Sequence, residues 1–213
     1  MRKRRRRPVA PRKGSRQAVC LCSGGVDSTV VMGMLLADGW DCKPVFVDYG
    51  QVCRKAERRA FDAICGYFRL RGIVREAKLW TDRRSSLLGG PEESAFIPHR
   101  NLALLLAGDL VAIETRAEAI ACGFCLAQAY PDSSRAFVAL AQQCLTVSVG
   151  SRRTLLAPLL DCDKRGIGTL SAELHIPVGL TYSCHRGDSE CGCCAGCLDR
   201  TQVLEASHED RSV

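Results

Sequence analysis

The chain has no apolar run near the roughly 20 residues that a membrane-spanning helix requires. Its basic start runs into prolines and more basic residues, where a secretory leader would turn apolar. An intracellular, cytoplasmic protein with no membrane partner is therefore expected. Aromatic residues are scarce, at 6% of 213, and no basic-aromatic patch lies outside the first residues. That scarcity argues against a base-stacking nucleic-acid platform. There is no Gly-Lys-Ser/Thr ending of a Walker loop and no G-x-G-x-x-G of a dinucleotide fold. No internal repeat is evident.

The formal charge of +7 is local. Residues 1–16, MRKRRRRPVAPRKGSR, carry nine Lys/Arg and no acid, which leaves 21 basic against 23 acidic side chains in the remainder. Like charges with prolines cannot fold alone, so residues 1–16 read as a disordered basic tail, able to attract an anionic surface but not required to bind nucleic acid.

Cysteine is abundant: 14 residues, of which five fall between Cys184 and Cys197. Disulfides are unusual inside cells, and the nine scattered cysteines read mostly as small core hydrophobes.

Short apolar runs alternate with helical stretches. Expected strands are Gln17–Cys22, Lys43–Gly50, Gly72–Leu79, Glu118–Phe124 and Thr154–Leu160. Expected helices are Ser28–Asp38, Cys53–Arg69, Arg100–Arg116, Ser133–Cys144 and Asp163–His175, with a polar loop over Trp80–Glu93. Alternation of this kind predicts an α/β fold with an open parallel sheet and helices on both faces. Residues 17–180 form its nucleotide-binding domain and residues 181–213 a metal-binding C-terminal segment.

Two segments carry chemistry. The first is Ser23-Gly24-Gly25-Val26-Asp27-Ser28-Thr29, at the turn after the first strand, where open parallel sheets place phosphate. Glycines let backbone N–H groups approach an anion, and the next helix adds the positive end of its dipole. Asp27 would repel phosphate unless Mg²⁺ stood between them, so it points to a nucleotide–metal complex. The second is TYSCHRGDSECGCCAGCLDR, residues 181–200. Cys184, Cys191, Cys194 and Cys197 have the spacing of a closed four-thiolate Zn²⁺ site, with Cys193 a spare thiol. An iron–sulfur cluster and a disulfide pair are the other readings.

The S-G-G-x-D-S turn is the signature of the PP-loop ATP pyrophosphatases. With it, VDYGQ (47–51), IPHRN (97–101), YPD (130–132), APLLDCDKRGI (157–167) and the TYSC…C-x-x-C-x-x-C run resemble, in order and spacing, the QueC family of 7-cyano-7-deazaguanine synthases. The resemblance covers residues 17–204. It implies a ligase that adenylates 7-carboxy-7-deazaguanine with one ATP and lets ammonia displace AMP. A second ATP then activates the amide oxygen so that elimination gives the nitrile.

On that resemblance Ser23, Gly24, Gly25, Val26, Asp27, Ser28, Thr29 and Lys164 bind ATP, and Asp27, Lys164 and Arg100 are the catalytic set. Tyr49, Gln51, Arg100, Asn101 and Asp132 face the substrate, Zn²⁺ is structural, and a homodimer is implied. The plain alternatives are a solvated lysine at position 164, a surface helix cap at Arg100–Asn101, a core aromatic at Tyr49 and a turn residue at Asp132.

The chain departs from the family at Val52-Cys53, where a histidine is usual, and at Gly123–Asp132, which is shorter and lacks the acidic residue that often precedes Y-P-D. It departs again at Ser133 in place of cysteine and at Tyr182 in place of tryptophan. A paralogue with another acceptor, an amidating or tRNA-thiolating PP-loop enzyme, and a zinc-knuckle nucleic-acid module are the competing readings.

Overall fold

In Gln17–Leu21 (β1), Ala18 and Cys20 pack into one apolar cluster while Val19 and Leu21 pack into another. A strand that is apolar on both faces has to be covered on both. The computed structural model describes residues 15–81, 84–91, 94–125 and 130–209, and in it β1 is the middle strand of five. The others are Asp41–Asp48 (β2), Ile73–Glu76 (β3), Ala119–Ala121 (β4) and Thr154–Leu156 (β5). All pairings are parallel, in the order β3-β2-β1-β4-β5.

Pro44 sits inside β2 without leaving a ladder bond unmade. The Val45 carbonyl accepts from Cys22 N–H at 2.8 Å, so residue 45 faces β1 and residue 44 faces the other way. On that side β3 pairs only from Val45 onward, and the missing proline N–H has no partner to lose.

Among the described residues, six α-helices complete the layers: Val26–Ala37 (α1), Arg54–Phe68 (α2), Arg100–Thr115 (α3), Arg135–Val149 (α4), Lys164–Glu173 (α5) and Ala195–Glu209 (α6). Val30, Phe61, Ile64, Ile167 and Val203 bring α1, α2, α5 and α6 onto one face of the sheet. Leu105, Val111, Ala141 and Leu145 bring α3 and α4 onto the other. β1 leads to β2 on one side, and the chain returns to place β4 on the other. The crevice beyond the carboxyl ends of β1 and β4 is thus the topological switch point, where ligands bind in such sheets.

The expected architecture is found, with shorter strands. The expected strands at 72–79, 118–124 and 154–160 reduce to four, three and three residues. The stretch expected as polar loop at 80–93 contains a 3-10 turn, Ser86–Leu88, whose leucines Leu87 and Leu88 are buried. The helix expected over 133–144 starts two residues later, because Ser134 caps it by accepting from Phe137 N–H, and runs on to Val149. α6 was not expected at all. Its Val203 is fully buried, and Gly168 of α5 leaves no room for a Cβ against Ala206, so the C-terminal segment packs into the main core. Most of the expected tail, residues 1–14, lies outside the described residues.

Candidate active site

The turn after β1 is shaped by what surrounds it. Gly24 has φ +83°, and a Cβ there would stand 2.5 Å from the Glu57 carbonyl of α2. A side chain is excluded on both counts. On the other flank, a Cβ at Gly123, after β4, would lie 2.9 Å from Ser28 N. Ser28 and Thr29 donate their hydroxyls to the Gly25 carbonyl at 3.0 and 2.7 Å, and Ser23 Oγ accepts from Gly25 N–H at 3.2 Å. Gly25 occupies the N-cap of α1 and brings no side-chain cap, so the first-turn N–H groups of a mostly buried helix face the crevice.

That crevice is a cavity of about 480 Å³. Ser23, Gly25, Val26, Asp27 and Ser28 form one wall, joined by Lys164, while Tyr49, Gln51, Arg100 and Asn101 are among the residues that line the rest. Gly24, Thr29 and Asp132 do not line it. Gly24 turns the backbone, Thr29 is fully buried beneath the turn, and Asp132 is used elsewhere.

Lys164 opens α5 and is only 4% exposed, which rules out the solvated alternative. Its ammonium lies 2.8 Å from Asp27 Oδ2 and 3.4 Å from Asp199 Oδ2 of α6. Burial pulls the ammonium down, but Asp27, with Asp199 adding to it, outweighs burial and holds it above the usual lysine range. Burial lifts the Asp27 carboxyl above the usual carboxylate range, and Lys164 opposes that. Two carboxylates against one ammonium leave this wall with room for further positive charge.

At the other end, both amide hydrogens of Gln51 are occupied. Its Oε1 accepts from Tyr49 N–H at 2.9 Å, and its Nε2 donates to the Val47 carbonyl at 3.4 Å and to Glu57 Oε2 at 2.8 Å. Tyr49 is 9% exposed and is both a core aromatic and part of the cavity wall. Asn101 is 2% exposed and donates Nδ2–H to the Asp132 carbonyl at 2.9 Å, while Asp132 Oδ2 accepts from Asn101 N–H at 3.4 Å. Asp132 thereby caps α3, whose N-cap His99 supplies no side-chain bond, and Arg100 is presented from that capped end. Residues 126–129, part of the shortened Gly123–Asp132 stretch, lie outside the described residues.

Beside the cavity, the Sγ atoms of Cys184, Cys191, Cys194 and Cys197 all lie within 4.8 Å of one another. Tetrahedral Zn–S bonds of about 2.3 Å put sulfurs about 3.8 Å apart, and Cys191 and Cys197 stand at 3.9 Å. Backbone N–H groups of His185, Arg186 and Cys194 donate to three of the sulfurs at 3.3–3.4 Å. The donor set fits a thiophilic metal, with all four positions supplied by protein. All 14 cysteines are free, so the cluster holds no disulfide. Tyr182 N–H donates to the Gly24 carbonyl at 2.9 Å and ties this segment to the phosphate-type turn.

Three wall residues went unread in the sequence. Glu57 hides in the charged run of α2, and Asp199 and Arg200 look like knuckle residues until α6 is known to begin at Ala195. Among the described residues no helix is long and apolar enough to cross a membrane.

The family model "Queuosine biosynthesis protein QueC" matches residues 17–208. A 7-cyano-7-deazaguanine synthase of Methanothrix thermoacetophila is 31% identical over 91% of this chain and 96% of its own length. One from Campylobacter concisus is 30% identical over 85% of this chain and 90% of its own. Among solved structures, a 4-thiouridine synthetase–RNA complex with bound ATP superposes with a TM-score of 0.51 at 17% identity. It covers 92% of this chain and 52% of that one, a likeness of fold. With its switch-point glycine turn, its Asp27–Lys164 pair and its four-thiol cluster, this chain belongs to the QueC family.

Proposed function

We propose that the chain is a 7-cyano-7-deazaguanine synthase that joins 7-carboxy-7-deazaguanine and ammonia at the expense of two ATP. The observation that carries the reading is the Asp27–Lys164 pair beneath the uncapped start of α1, in one cavity with Arg100. Helix N–H groups and Lys164 suit the phosphates, and the Arg100 guanidinium, which lines the same cavity, suits the acid to be activated.

The chemistry needs little from the protein beyond placement and charge. With ATP seated on the α1 turn, the acid held by Arg100 attacks the α-phosphorus and pyrophosphate leaves, its charge met by Lys164 and the backbone N–H groups. Ammonia adds to the acyl carbon and AMP departs with one carboxylate oxygen. The amide oxygen attacks a second ATP in the same way, and loss of AMP with two N–H protons gives the nitrile.

Asp27 would hold Mg²⁺, which would neutralise phosphate charge when bound with ATP. The four cysteines would hold Zn²⁺ as a structural ion, since no coordination position remains for chemistry. Residues 17–180 would then act as the nucleotide-binding part and residues 181–213 as its metal-pinned side wall.

A homodimer is part of the proposal. Leu102, Leu106, Leu110 and Ile113 repeat along one side of α3 and are 36–55% exposed, an apolar stripe suited to a second copy. The setting is cytoplasmic, with small molecules as partners and no requirement for nucleic acid. Incubation with ATP, ammonium and 7-carboxy-7-deazaguanine, followed by chromatography and mass spectrometry, tests the reading. Nitrile, AMP and pyrophosphate are expected; ADP as the sole nucleotide product, or no turnover, contradicts it.

A further inference from the structure

Glu57 has no part in the chemistry above, yet it lines the same cavity, and its carboxyl meets the Gln51 amide there. It stands in the first turn of α2, where an acid is favoured by the helix dipole whichever way it points. Here it points inward, and the reason is Gln51. The Gln51 amide accepts from Tyr49 N–H and donates its two hydrogens to Val47 O and Glu57 Oε2, so it is a brace with no donor left for a ligand. What the brace holds in place is a carboxylate. A carboxylate offers about four lone-pair sites, of which the Gln51 amide and the Cys53 thiol take two; burial pushes the carboxyl above its usual range, and these hydrogen bonds together with Arg100 oppose that rise. The charged groups around it are Arg100 on α3 and Asp48 at the end of β2, with the Cys53 thiol at the cap of its own helix.

An acceptor-only group in an apolar-walled crevice selects its ligand by chemistry. It repels phosphate. Against adenine it would face a ring nitrogen lone pair beside one amino group. Against a 2-aminopyrimidin-4-one it meets a ring N–H and an exocyclic amino group side by side, two donors at the spacing of two carboxylate oxygens. Tyr49, Val47 and Leu87, which line the cavity with Glu57, supply flat apolar surface for the ring.

We infer that Glu57, braced by Gln51, is the specificity-determining residue that reads the amino-pyrimidinone edge of the acceptor heterocycle. The inference rests on the proposed synthase reading. It assigns the Glu57–Tyr49 end of the cavity to the acceptor and the Asp27–Lys164 end to ATP.

Calorimetric titration of the whole protein with 7-carboxy-7-deazaguanine and with its analogue lacking the exocyclic amino group tests it. A hydrogen bond to a charged acceptor sets the expected wild-type preference at about 10- to 100-fold for the amino compound. In Glu57→Gln the preference should fall to about threefold or less, because an amide NH2 now faces a donor, while ATP affinity is unchanged. Glu57→Asp, shorter by one methylene, should keep part of it. A wild-type protein that binds both compounds equally overturns the inference and needs no variant to fold. An undiminished preference in folded Glu57→Gln overturns it equally. Nitrile synthesis by the wild type alongside either result would leave the synthase reading standing, whereas absence of synthesis and of heterocycle binding would remove that reading first and this inference with it.

Discussion

The Lys164 ammonium sits 2.8 Å from the Asp27 carboxylate across 137 residues of chain, with both side chains largely shut off from solvent. Each comes from the first turn of a helix, α5 and α1, and α6 adds Asp199 behind the lysine. Breaking such a pair strands a buried charge, at a cost of about 3–5 kcal/mol.

Lys164→Met should therefore lose AMP formation and about 3 kcal/mol of stability, and the stability loss should depend on pH. Burial already raises Asp27 above the usual carboxylate range, and Lys164 opposes that rise. Without the lysine the folded state favours protonated Asp27 still more, so it binds a proton more tightly than the unfolded state. Stability is then regained as pH falls through the folded pKa. Thermal melting should show a deficit that is large at about pH 8 and shrinks towards pH 5; a deficit independent of pH contradicts the account. Asp27→Asn with Lys164→Met should recover most of the melting temperature and none of the activity.

Gly24→Ala tests the turn. A methyl group at φ +83°, 2.5 Å from the Glu57 carbonyl, forces the turn and α2 apart. Loss of calorimetric ATP binding by tenfold or more is expected, on the order of the 1–3 kcal/mol that such backbone strain costs. Wild-type affinity in a folded variant contradicts the assigned geometry.

Arg100→Ala separates the two ends of the cavity. The KM for the acid should rise about 100-fold, the worth of a charge-assisted bidentate contact at about 3 kcal/mol, with the affinity for ATP little changed. An equal loss for both ligands would place Arg100 on the nucleotide instead.

The metal cluster tests the link between the C-terminal segment and the cavity. Cys197 lies in the first turn of α6, two residues before Asp199, and Arg200 pairs with Glu190 within the knuckle at 3.2 Å. Elemental analysis should find one zinc per chain and no visible absorbance. Cys197→Ser or chelation should lower the melting temperature and weaken ATP binding, because Asp199 no longer backs Lys164. Iron with a charge-transfer band contradicts zinc.

Sequence and structure agree where identity alone carries the meaning. The Ser23–Thr29 turn and the four cysteines are legible because few other residues do what glycine and thiolate do. The meeting of Lys164 with Asp27 is a product of chain crossing, which no local pattern records, although the APLLDCDKRGI match singled out the lysine. The YPD match puts Asp132 in the pocket, whereas its carboxylate caps α3, since an aspartate in a turn offers the same signal for both. α6 was missed because its polar and apolar residues are spread around the helix with little periodicity, and its first residues read as knuckle. Glu57 was invisible among Arg54, Lys55, Arg58 and Arg59, where every charge looks solvated until Gln51 is seen to turn one of them inward.

The most direct measurement of the central claim follows oxygen. With 7-carboxy-7-deazaguanine labelled by ¹⁸O in both carboxylate positions, each nitrile should be accompanied by two AMP, each carrying one labelled oxygen in its phosphate. Unlabelled AMP, or label retained in the heterocycle with ADP as the nucleotide product, would show that the acid oxygens never meet the α-phosphorus and would contradict the account.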